Sequence, residues 1–128
     1  MNRRTFLGAL SAVILAPIAA YAVAPVPYDN NAFAAAQAAG KSILVQVHAD
    51  WCPQCAAQRP IIADLIKTDK FKDLVIYNID WDTQKDLVRK FGAQRQSTLI
   101  VYKGAKETGR SVGATQAAPI TELLTTGL

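Results

Sequence analysis

A chain of 128 residues is the size of one domain, and with 51% hydrophobic residues it can bury a core without crosslinks. Seven glycines and six prolines are ordinary, and no repeat or low-complexity tract is present, which excludes disordered and solenoid classes. The formal charge of +4 includes Arg3 and Arg4 near the start; the other basic residues are scattered without aromatic interleaving, which excludes a nucleic-acid surface.

The opening "MNRRTFLGALSAVILAPIAAYA", residues 1–22, has the parts of an export signal: a basic start, an apolar stretch from Phe6 to Ala20, and small residues at its end. Ala20 and Ala22 predict cleavage after Ala22. Arg3-Arg4-Thr5-Phe6-Leu7 resembles a twin-arginine signal, which carries folded proteins out of the cytoplasm. An ordinary secretory signal and an uncleaved anchor are the other readings, the second because apolar character runs from Thr5 to Ala24, near the ~20 residues a span needs. Pro17 and the small-residue site favour cleavage, giving a periplasmic protein with one domain over residues 23–128.

"VAPVPYDN" is an extended lead-in, and Asn30 or Asn31 caps a helix over 32–39 that Gly40 ends. "SILVQVHA" (42–49) reads as a strand, and a helix follows Trp51 with Pro53 in its first turn. Ile61, Ile62, Leu65 and Ile66 form that helix's apolar face, and Pro60 kinks it. "LVIYNID" (74–80) is a second strand, after which Trp81 and Asp82 open a helix with Asp82 as its cap; "QKDLVRKF" (84–91) carries its amphipathic pattern. "TLIVYK" (98–103), a turn at Gly104, a strand over 107–112 and a helix over 117–126 complete the chain. The pattern is βαβ followed by a hairpin and a helix, an α/β fold with a mixed sheet.

Both cysteines, Cys52 and Cys55, fall where the first strand gives way to its helix. A bridge closing so short a loop removes little chain entropy, so the pair points to chemistry rather than to stapling. A helix N-terminus favours an anionic sulfur at Cys52, and Cys55 lies one turn on, placed to close a ring with it. One sulfur attacks and the other resolves: thiol–disulfide exchange.

"SILVQVHADWCPQC", with Pro60 five residues beyond, "VIYNID", "FGAQRQSTLIVYKG" and "VGAT" resemble, in order, the conserved blocks of the thioredoxin family, over nearly all of 31–126. The resemblance implies a thioredoxin fold, a redox-active Cys52–Cys55 pair, no cofactor, and the disulfides or thiols of other proteins or small molecules as substrates. A monomer recycled by a membrane redox partner is expected. Trp51 is family-typical and is expected to pack beside the pair.

Around the pair the chain departs from the family pattern. Ser97 stands where the family has a cis proline facing the cysteines; a cis bond before a non-proline costs ~3 kcal/mol, so a trans peptide and a reshaped loop are expected. The family's buried aspartate aligns with Gln46 and its lysine partner with Ile76, so both charges are lost together. His48 replaces a common tryptophan and, as the single histidine, can titrate near neutral pH and either stabilise a thiolate or relay a proton. Reducing relatives carry Gly-Pro between the cysteines and strongly oxidising ones Pro-His; Pro53 and Gln54 predict a poise between them. Arg59 is expected to be solvated. The competing class is a metal- or iron–sulfur-binding protein using the same cysteines: structural zinc wants four ligands, one chain offers three at most in Cys52, Cys55 and His48, and a dimer supplies four thiolates around a cluster.

Overall fold

Alternating branched residues on a strand buried on both faces set the centre of the molecule. In the computed structural model, which describes residues 24–128, Ser42–His48 forms β2, whose Ile43, Leu44 and Val45 are fully buried. The expected signal and its cleavage point after Ala22 lie outside the described residues.

Strands run β1 (Val26–Pro27), β2, β3 (Val75–Asp80), β4 (Thr98–Lys103) and β5 (Lys106–Val112). They make one five-stranded sheet in the order β1-β3-β2-β4-β5, so β2 is central. β1 and β2 lie parallel to β3, whereas β4 is antiparallel to β2 and β5 to β4. Helices α1 (Asn30–Ala38), α2 (Pro53–Leu65), α3 (Lys85–Lys90) and α4 (Ala117–Thr125) cover the faces, and a 3₁₀ turn spans Asp69–Phe71. The expected α/β sandwich with a mixed sheet is the architecture observed.

Strand alternation sorts the core into two layers. Ile43, Val45 and Val47 face Phe33, Tyr77, Val88 and Phe91 on the α1/α3 side. Leu44 faces Ile62, Ile66, Phe71, Ile76, Ile120 and Leu124 on the α2/α4 side. Continuing along that second face, Leu44, Gln46 and His48 lie in register with Ile76, Asn78 and Asp80 of β3. The row therefore passes from apolar to amide to ionisable as it nears the end of the sheet where α2 begins.

Three boundaries differ from the sequence reading. The lead-in contains β1, a two-residue edge strand, and Pro27 is tolerated there because an edge residue can leave one side of its backbone unpaired. The cap of α1 is Asp29, whose carboxylate accepts from the Ala32 N–H at 2.8 Å, rather than Asn30 or Asn31. Trp81–Thr83 form a turn, not a helix start: Asp80 accepts from the Asp82 and Thr83 N–H groups at 2.8 and 3.0 Å, so α3 begins only at Lys85 and Asp82 caps nothing.

Candidate active site

The end of β2 delivers both sulfurs. After His48 the chain turns, the Cys52 N–H donating to the Ala49 carbonyl at 3.1 Å, and Cys52 becomes the N-cap of α2 with Pro53 in the first turn. Pro53 suits that place because the first N–H groups of a helix have no partner within it. The Cys55 N–H, one of those orphans, donates to Cys52 Sγ at 3.1 Å. Cys52 thus holds the position expected of it, with a backbone N–H aimed at its sulfur.

Both thiols are free and enclosed: Cys52 is 1% and Cys55 4% exposed, grouped with Ala49 and the edge of Trp81. Gln54 is half-buried, its Oε1 3.8 Å from Cys52 Sγ. Burial, then the hydrogen bond with Cys52, pushes the Cys55 thiol above its ordinary value, against an opposing pull from the backbone at Ala49 and Ser97.

Trp51 is 59% exposed instead of packed beside the pair. Its indole N–H donates to Asp82 Oδ2 at 2.8 Å, so Asp82 tethers Trp51 where a cap was expected. The Trp81 N–H reaches back to the His48 carbonyl at 2.8 Å, and Lys85 Nζ lies 4.1 Å from the Trp81 ring centre. These contacts join the β3–α3 turn to the loop carrying the cysteines.

Ser97 is buried, its peptide is trans, and its φ is +62°. The Ser97 N–H donates to the Val47 carbonyl at 2.8 Å, and its own carbonyl accepts from the Gly113 N–H at 3.1 Å. The same carbonyl accepts from Gln58 Nε2 at 3.2 Å, and that amide also reaches the Ala114 carbonyl at 2.9 Å. Gln58, one turn beyond Cys55 and 4% exposed, therefore ties α2 to both loops around the site. The sequence reading passed over it; a glutamine among the apolar and small residues of a helix core was the available signal.

Gln46 stands near the site, but its partner is Asn78, not position 76: Gln46 Nε2 donates to Asn78 Oδ1 at 2.8 Å, while Ile76 is sunk in the α2/α4 core. An amide pair therefore occupies this row. It forms part of a cavity of about 260 Å³ lined by Gln46, His48, Cys55, Gln58 and Asn78, with the exposed Asp50 and Arg59 also on its wall. Arg59 is solvated as expected yet borders the site. His48 lies beside Asp80, whose carboxyl is held below the ordinary range, first by the Thr83 N–H and also by His48. Among the described residues no three His, Cys, Asp or Glu side chains converge as a metal donor set.

A strand running into a cysteine-capped helix with a second thiol one turn on is an arrangement for thiol–disulfide exchange. The family model "Thioredoxin" matches residues 24–126. The crystal structure of Trxlp from Edwardsiella tarda EIB202 is similar at a TM-score of 0.77 and 38% identity, over 80% of this chain and 99% of that one. Thioredoxin H-type from Brassica campestris is 33% identical over 85 residues, covering 66% of this chain and 68% of that protein. Thioredoxin-2 from Saccharomyces cerevisiae is 36% identical over 78 residues, 61% of this chain and 73% of its own. With the sheet order, the placement of both sulfurs and these likenesses in agreement, the chain belongs to the thioredoxin family of thiol–disulfide oxidoreductases.

Proposed function

We propose that this oxidoreductase works after export to the periplasm, as a monomer, on protein disulfides and thiols, with Cys52 as nucleophile and Cys55 as resolving thiol. The observation that carries the assignment is the 3.1 Å contact from the Cys55 N–H to Cys52 Sγ at the head of α2. An anionic sulfur accepts that bond better than a thiol does. In the reducing direction Cys52 Sγ attacks one sulfur of a partner's disulfide, and the other partner sulfur leaves as a thiolate. Cys55 Sγ, once deprotonated, attacks Cys52 Sγ in the mixed disulfide and releases the partner's second thiolate. The chain loses two electrons and the partner gains them. A membrane donor of reducing equivalents regenerates the dithiol, and Pro53 with Gln54 places the redox poise between strongly reducing and strongly oxidising relatives.

Both sulfurs are buried, so a docking partner displaces the Gln54 side chain to reach Cys52. Gln54→Ala is expected to raise the alkylation rate of Cys52 roughly several-fold, since access as well as thiolate character sets thiol reactivity. Disulfide exchange by the purified protein tests the assignment: Cys55→Ser is expected to accumulate a mixed disulfide through Cys52, and Cys52→Ser to fall to background. Exchange by Cys52→Ser at the wild-type rate sinks it. Cell fractionation tests the route. A periplasmic species with the mass of residues 23–128 is expected, and Arg3→Lys with Arg4→Lys is expected to hold the protein in the cytoplasm.

A further inference from the structure

Cys55 has to give up a proton before its sulfur can attack, and burial makes that proton harder to lose. The cavity against Cys55 is where that proton can go. Its walls include the amides of Gln46, Gln58 and Asn78, none of which takes up a proton near neutral pH. The bond from Gln46 to Asn78 still leaves each amide with hydrogen-bonding capacity, and about 260 Å³ is room for a few waters with polar partners. His48 lines the same cavity.

Resting on the exchange chemistry above, we propose that His48 is the proton acceptor and donor for Cys55, acting through water in the cavity that the two residues share. Imidazole is the side-chain base suited to this task at neutral pH, and a far stronger base than a carboxylate. The groups facing His48 are Asp80 in register on β3, Cys55 and Arg59 from α2, and Asp50 from the loop after β2. Asp80 supplies the negative partner that an imidazolium needs, its own charge held by the Asp82 and Thr83 N–H groups. As Cys55 attacks the mixed disulfide, its S–H proton passes through water to the His48 ring. The Cys52–Cys55 bond forms, the bond to the partner's sulfur breaks, and the departing thiolate carries the electron pair. In the opposite direction the imidazolium returns the proton to the Cys55 thiolate as the ring disulfide opens. His48 shares the cavity with Cys55, and Cys52 is not on its wall, so it acts on the second step and not on the first.

Ellman's reagent separates the two steps, because Cys52 releases one coloured thiolate on attack and Cys55 releases the second on resolution. Rapid mixing of the reduced protein with the reagent, across about pH 6 to 8, is expected to show His48→Gln and His48→Asn slowing the second release about tenfold or more. Their first release is expected to stay within about twofold of wild type, and added imidazole to restore part of the second. A second release with wild-type rate and pH profile in both variants overturns the proposal. So does a first release that slows in step with the second. If Cys55→Ser yields only the first thiolate while the His48 variants match wild type, the exchange chemistry stands and the relay alone falls; if Cys55→Ser yields both, the exchange assignment falls with it.

Discussion

Ser97 carries a backbone conformation that side-chain-bearing residues adopt at a cost of roughly 1–2 kcal/mol. The φ of +62° persists because the backbone on both sides is engaged, the N–H by Val47 and the carbonyl by Gly113 and Gln58. The loop is therefore built around a trans serine and is no longer a place a proline can occupy. Proline would demand φ near −65° and delete the N–H that Val47 binds. Ser97→Pro is expected to lower stability by about 3 kcal/mol or more, and Ser97→Gly to stay within about 1 kcal/mol of wild type. Urea denaturation at neutral pH checks both; a Ser97→Pro protein as stable as wild type sinks the account.

The turn from β3 into α3 is held by one carboxylate, and it also carries the Trp51 tether. Asp80 accepts two backbone N–H groups, its own N–H is met by Gln84 Oε1 at 2.9 Å, and Asp82 is thereby presented to Trp51. Losing such an acceptor costs about 1 kcal/mol, as at a helix N-cap. The folded-state carboxyl of Asp80 sits below its unfolded value, first because of the Thr83 N–H. The stabilisation is therefore fully present above the ordinary carboxylate pKa and is lost as pH falls through the depressed folded value. Asp80→Ala is expected to be about 1 kcal/mol less stable at pH 7, with the gap narrowing below about pH 4. Parallel urea curves at the two pH values measure it, and a gap that widens on acidification contradicts the sign.

At the scale of the whole molecule, the segment ahead of α1 closes one side of the core. β1 pairs along β3, the Tyr28 N–H donates to the Asn78 carbonyl at 2.9 Å, and the Tyr28 ring meets Phe33, Tyr77 and Phe91 at 5.2–6.0 Å between centres. Lys90 Nζ lies 3.2 Å from the Tyr28 hydroxyl, joining this segment to the end of α3. Tyr28→Ala is expected to lose about 3–5 kcal/mol, the cost of emptying an aromatic core site, and Tyr28→Phe about 1 kcal/mol. Thermal or urea melts decide it: equal stability of Tyr28→Ala and wild type removes β1 and Tyr28 from the structural core.

The residues themselves announced β2 to β5, the helix that follows Trp51, the proline inside it and the paired cysteines, because each rests on local patterning or on spacing within one helical turn. Branched alternation over 42–49 and the Cys52-Pro53-Gln54-Cys55 run are legible without knowing what they touch. Partnerships across the chain were not legible. Gln46 and Asn78 are 32 residues apart, Trp51 and Asp82 are 31 apart, and Gln58 reaches residues 39 and 56 positions away. β1 escaped notice because two residues, Val26 and Pro27, have no periodicity; only the open edge of β3 makes them a strand. Sequence determined what chemistry the two sulfurs can do, and folding decided which amides, imidazole and carboxylates surround them, because those neighbours arrive from β2, β3, α2 and the loop after β2, which only the folded sheet brings together.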